Sequence, residues 1–259
     1  MKTLLSILLL TVSTSAFASM SGLEIMKNND QQRKVDDEKS TVLMTLTNKQ
    51  GQNREREVVI TTKTDDTGLQ SSIVKFEAPS NVSGTGLLTI ENANAEDDQW
   101  LYLPALKRSR RISASNQSDS FMGTDFSFED LSPEDLNDFE YKRLDDETIN
   151  GEENYKIKAT PKNESILKDS GYSYRVLWVR KKDFIVSQIH YFDKNGQHSK
   201  TLTALDIQPI DGSGVSRAQL VTMKTHQTNH QTELKYNNFA INQGISQQLF
   251  SMRSLERGW

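Results

Sequence analysis

The chain has no cysteine. That excludes a lipid anchor on an N-terminal cysteine, structural disulfides and thiolate metal sites, so folding rests on the core alone. Proline is scarce, five residues in 259, and no Pro- or Gly-rich linker divides the chain, which points to one domain. Charge of either sign is not in large excess. The formal net charge of −4 argues against nucleic acid as the main partner. No G-x-S-x-G elbow, phosphate-binding P-loop or dinucleotide fingerprint occurs, and no repeat of 20–50 residues is evident. No cofactor is implied. Only 35% of residues are hydrophobic, so the apolar side chains must be concentrated on regular elements to make a core.

Long apolar runs are also missing except at the start. Lys2, the short apolar stretch Leu4 to Val12 and Ala16-Phe17-Ala18 have the order of a secretion signal with an A-x-A cleavage site. The run is too short to span a bilayer, which needs about 20 residues. The expectation is therefore a signal over 1–18 and a single exported, soluble domain over 19–259.

What is present reads mainly as strands. Ser21-Gly22-Leu23-Glu24 fits a capping box for a short helix that Asn28-Asn29-Asp30 should stop, with a solvated lead-in over Arg33 to Lys39. From Ser40 the period shortens to two, with Val42, Met44 and Leu46 on one face. About a dozen such segments follow at spacings that suggest an antiparallel meander. Ser132-Pro133-Glu134-Asp135 predicts one or two helical turns, and Asn163 to Gly171 an irregular or helical loop. Ile241 to Leu249 could close with one helical turn, leaving Phe250 to Trp259 as a tail.

The densest stretch is Gln99 to Leu131. Trp100-Leu101-Tyr102-Leu103-Pro104 is apolar on both faces of a strand: Trp100 and Tyr102 on one, Leu101 and Leu103 on the other. Tyr174 to Val179, including Trp178, repeats that character, whereas a sheet with one wet face would alternate cleanly. Phe121, Phe126 and Phe128 form a second aromatic cluster. These residues line either a ligand cavity or a plain core, and the residues alone leave both open. The basic run Lys107, Arg108, Arg110 and Arg111 is either a solvated edge that discourages aggregation or a contact for anionic headgroups or an acidic partner. Asp125, Glu129 and Asp130 have no nucleophile or base partner, so caps and dipole partners explain them better than acid/base chemistry. His226 and His230 would share a strand face, but no spacing nominates a third ligand for zinc.

Taken together, Trp100 to Pro104 with Lys107-Arg108 and Arg111-Ile112, Phe121 to Leu131, Val176-Leu177-Trp178-Val179, Tyr191 to Gly196 and Phe250 to Gly258 resemble the LolA-like family of outer-membrane lipoprotein-sorting proteins. The resemblance implies a mainly β (α+β) fold: an incomplete, strongly curved antiparallel β-barrel with short helices covering its concave face. It implies a non-enzymatic periplasmic carrier of lipid or lipoprotein acyl chains. Trp100, Tyr102, Leu103, Phe121, Phe126, Phe128 and Trp178 become candidates for the cavity or its lid. The alternative it leaves is an adaptor for an inner-membrane exporter of the resistance–nodulation–division type (RND/MMPL-type), a group with which this branch is often associated.

Overall fold

The computed structural model describes residues 19–257 apart from Asn94; the expected signal, 1–18, lies outside the described residues. Helix α1, Gly22–Arg33, opens on the expected capping box: the Ser21 N–H donates to the Glu24 carboxylate at 2.7 Å and the Glu24 N–H to Ser21 Oγ at 3.3 Å. It does not stop at Asn28–Asp30. Asn29 is buried and donates to the Phe184 carbonyl at 2.7 Å, and Asn28 donates back to the Glu24 carbonyl. Their side chains are thus occupied elsewhere and do not compete with the helix backbone. Gly22 lets the helix start touch the sheet, since a Cβ there would lie 2.4 Å from the Tyr141 carbonyl oxygen.

Fourteen strands make one antiparallel sheet: β1 Asp37–Thr47, β2 Asn53–Thr64, β3 Gln70–Ala78, β4 Gly86–Ile90, β5 Asp98–Leu103, β6 Arg108–Ile112, β7 Phe139–Arg143, β8 Glu147–Ile149, β9 Glu152–Pro161, β10 Tyr174–Arg180, β11 Val186–Phe192, β12 His198–Pro209, β13 Ser216–Thr225 and β14 His230–Ile241. Their order is β6-β5-β4-β3-β2-β1-β14-β13-β12-β11-β10-β9-β7, with β8 on β9. The two ends never meet, so the barrel is incomplete. Neighbours in sequence are mostly neighbours in the sheet; the exceptions are β6 and β7, which end the sheet on opposite sides, β7 beside β9, and β1 beside β14, which joins the two halves. Asp37, expected in a solvated lead-in, is instead a buried carboxylate at this seam. It accepts the N–H groups of Gln243, Gly244 and Ile245 at 2.8–3.0 Å.

The register divides the sheet into an inner and an outer face. Val42, Met44 and Leu46 of β1 share the inner face with Val58, Phe76, Leu87, Leu101, Met223 and Leu234, and with Phe121, Phe126 and Phe128 from the β6–β7 connection. At the other end α1 lays Ile25 and Met26 on Ile157, Ala159, Leu177 and Val179, also on the inner face. Short helical elements thus cover the concave side, as expected. These include the 3-10 turns Glu129–Leu131 and Leu136–Asp138. Helix α2, Glu164–Asp169, occupies the connection from β9 to β10.

Two further expectations are corrected. The segment after Phe250 is no tail but holds helix α3, Met252–Arg257, on the outer face; Phe250 and Leu255 are buried there against Ile73 and Leu88. That burial, not local propensity, decides a helix this short. His226 and His230 do not share a face, because a turn intervenes between β13 and β14. His230 faces the covering loop on the inner side, and His226 meets His198, which stacks with His190 and Phe192.

Candidate functional site: the covered concave face

The connection 113–138 lies over the inner face and is fastened to it by two kinds of contact. The first is aromatic. Residues 120–127 form a tight hairpin in which the Phe121 N–H donates to the Phe126 carbonyl at 2.8 Å, turning through left-handed Met122 and Gly123. Met122 is held in that conformation by Arg56, which donates to its carbonyl at 2.9 Å. The hairpin directs Phe121 onto Phe76 and Phe128, with ring centroids 5.7 Å apart in both pairs. Phe121, Phe126 and Phe128 are all buried. Full burial of each is worth roughly 2–3 kcal/mol, so the three supply about 6–9 kcal/mol before the cost of ordering the loop.

The second kind is a set of four carboxylates, three of which reach strands of the sheet while Glu129 reaches the connection from α2 to β10. Asp125 accepts from Thr225 Oγ1 (2.5 Å), His230 Nδ1 (2.6 Å) and Thr232 Oγ1 (2.7 Å), while its own N–H donates to Thr232 Oγ1. Asp130 accepts from the Tyr172 hydroxyl at 3.0 Å and lies 3.4 Å from Lys200 Nζ. Glu129 accepts from Ser170 Oγ and the Gly171 N–H; burial raises its pKa above the ordinary carboxylate value against those bonds. Glu134 pairs with the buried Arg175 and accepts from the Tyr141 hydroxyl. Buried charges persist only when paired and hydrogen-bonded, so each carboxylate fixes one place where the loop must sit. The sequence reading of Asp125, Glu129 and Asp130 as caps describes local contacts only at Asp130, which also accepts from the Ser127 N–H and hydroxyl.

Not all of the inner face is covered. Ile189 and its register partner Leu202, with Val221 on β13, Tyr236 on β14 and Ile60 on β2, pack against the inner core but are only partly buried, with the buried Val42 of β1 between Tyr236 and β2. Ile189 touches the α1 cluster as well as the loop cluster. Met122 and Leu131 of the covering loop border the same apolar surface. Sequence reasoning missed this set, because Leu202 between Thr201 and Thr203 reads as ordinary alternation. Its signal is positional: these are apolar inward residues that the covering segments do not bury.

The candidates named from sequence separate between the two faces. Leu103, Phe121, Phe126 and Phe128 come together on the inner face. Trp100 and Tyr102 point outward beneath α3 with Ile73, Leu88 and Leu255. Trp178 also points outward, donates from Nε1 to Glu147 at 3.1 Å and lies against His190 and Lys156. Burial among these neighbours lowers the His190 pKa to about 4. In the basic run, Arg111 faces outward and is paired with Asp98, whereas Arg108 and Arg110 stand opposite Leu103 and Leu101 at the inner rim. Lys107 takes a left-handed conformation at the turn.

A family model described as an uncharacterized protein matches residues 68–257. The chain is 31% identical to a protein described as an outer membrane lipoprotein-sorting protein domain from Vibrio parahaemolyticus. That match has a TM-score of 0.85 over 91% of this chain and 98% of the other. A DUF1329 family protein from Desulfovibrio piger is 28% identical, with a TM-score of 0.84 over 90% and 97%. A LolA superfamily protein from Nitrosomonas europaea shares the fold at 18% identity, with a TM-score of 0.70 over 91% and 99%. No curated protein matches the sequence. Identity and coverage over nearly the whole of the Vibrio domain, with the same open sheet, place the chain in the LolA-like family of outer-membrane lipoprotein-sorting proteins.

Proposed function

We propose that the chain is a non-enzymatic periplasmic carrier of lipid or lipoprotein acyl chains, which it holds on its concave face and delivers toward the outer membrane. The observation that carries this reading is the partly exposed apolar set Ile60, Tyr236, Val221, Leu202 and Ile189 beside a covering loop whose own contacts are phenylalanines. An acyl chain offers that set the same chemistry that Phe121, Phe126 and Phe128 offer the rest of the face. Each CH₂ removed from water contributes about 0.8 kcal/mol, so about eight to eleven of them balance the loop's roughly 6–9 kcal/mol of aromatic burial. Entering the covered part takes more CH₂ groups than that, because a chain that displaces the loop must also replace the carboxylate contacts. The polar anchors give the loop one resting position to which it returns.

Titration of delipidated protein with a fluorescent fatty acid tests the proposal. Saturable binding, abolished by an acidic side chain at Val221, is the expected result; no binding, or equal binding by that variant, would sink it.

A further inference from the structure

The β5–β6 hairpin ends in the most exposed large apolar side chain among the described residues, Leu106, at 60%. It closes the 3-10 turn Pro104–Leu106, whose proline sits against Gly84, so that a Cβ on Gly84 would be 3.1 Å from Pro104 Cγ. The tip is therefore braced. Around it stand Lys107, Arg108 and Arg110, all exposed and, among the described residues, without an ion pair or side-chain hydrogen bond. Strand β6 is a sheet edge, so no further strand covers them. Helix α3 lies across β4, β5 and β6 and brings two more exposed cations, Arg253 and Arg257. Its one carboxylate, Glu256, accepts from Ser109 Oγ at 2.9 Å. Glu77, at the end of β3, and Glu57, opposite Ala78 on β2, are acidic residues near this end of the strands. A chain of net charge −4 thus places three cations, Lys107, Arg108 and Arg110, beside an exposed leucine, with Arg253 and Arg257 on the helix that covers the outer face of the same strands.

We infer that this hairpin tip docks the protein on an anionic phospholipid surface. Leu106 enters the boundary between headgroups and acyl chains, and the lysine and arginines meet the lipid phosphates. A protein partner fits less well: a stable protein interface buries about 800 Å² per side, more than one short turn presents. Arg108 and Arg110 share the inner rim with Leu103 and Leu101, so docking turns that rim of the concave face to the membrane. The use of such docking rests on the carrier reading; its test does not.

The test is co-sedimentation of the chain from Ser19 onward with vesicles of phosphatidylcholine alone, or mixed in about equal parts with phosphatidylglycerol. Binding is expected only to the anionic vesicles and should weaken with salt. It should fall roughly tenfold for Leu106→Glu and for the pair Arg108→Glu and Arg110→Glu, while fatty-acid binding in solution is retained. Leu106 is exposed, so its variant leaves the core intact, and unchanged thermal melting checks this. Equal binding to neutral vesicles, no binding to anionic ones, or undiminished binding of the variants would overturn the inference. So would tip-dependent capture of polyglutamate without vesicle binding, which would assign the tip to an acidic protein. Loss of fatty-acid binding with vesicle docking intact would count against the carrier and leave the docking tip standing.

Discussion

Asp125 is the anchor whose removal should most cleanly release the covering loop. Its carboxylate is buried and receives three donors, Thr225 Oγ1, His230 Nδ1 and Thr232 Oγ1, all from β13 and β14. Asp125→Asn keeps the shape and one carbonyl acceptor, but replaces the second acceptor with an NH₂ group that faces other donors. A hydrogen bond to a charged group contributes about 1.5–3 kcal/mol, so losing one or two of these should cost roughly 2–4 kcal/mol. The other carboxylates hold β7, β10, β12 and the connection from α2 to β10, and the sheet's ladders do not involve Asp125, so the cost should fall on local opening. At about 1.4 kcal/mol per factor of ten, protected amides in 113–138 should exchange about 30- to 1000-fold faster, and those of β1, β2 and β14 hardly at all. Hydrogen exchange followed by mass spectrometry reads both. Fatty-acid uptake should accelerate in the same variant, because the loop's displacement has become cheaper. Unchanged exchange in the loop, or acceleration spread evenly over the sheet, would refute the anchoring role.

Within the inner set, Leu202→Asp should abolish fatty-acid binding with little loss of fold, because Leu202 is only partly buried; binding titration beside circular dichroism checks both. Trp100→Ala should do the reverse: removing a partly buried indole beneath α3 should lower stability by about 2–3 kcal/mol in urea melts and leave binding unchanged. Asp97 gives a pH-dependent case. Burial, with Glu91, Asp135 and Asp138 adding to it, raises its pKa to about 6 against the hydrogen bond it accepts from the Asn92 N–H. The folded state therefore favours the protonated carboxyl: the stability it contributes is present below about pH 4 and lost as pH rises through 6. Asp97→Asn should thus stabilise the protein at pH 7 by ~1 kcal/mol, a value discounted for a half-buried site, and by almost nothing at pH 4. Chemical melts at the two pH values measure that difference.

Much of the architecture was legible because the strands carry their own period. Val42, Met44 and Leu46 alternate inward, and Trp100 to Leu103 is apolar on both faces because α3 covers one and the loop the other. The capping box at Ser21 was equally local. What escaped was set by distant contacts. Asn29 looked like a helix stop until Phe184, 155 residues away, took its amide. α3 is too short to read from sequence and depends on burying Leu255 over β4. The site was legible in part for the same reason. The cluster Phe121, Phe126 and Phe128 stood out by composition, yet the separation of Trp100, Tyr102 and Trp178 onto the other face needed the register. The anchoring roles of Asp125, Glu129, Asp130 and Glu134 depend, Tyr141 beside Glu134 apart, on partners 41 to 107 residues away, beyond any local pattern.

The central claim is that the concave face holds an acyl chain. Native mass spectrometry of the protein purified from cells without detergent, beside a variant with Asp at both Leu202 and Val221, tests it most directly. The native chain should retain a phospholipid or acylated peptide, and the double variant, folded equally well, should retain none. A native protein that emerges free of lipid, or a double variant that carries the same load, would contradict it.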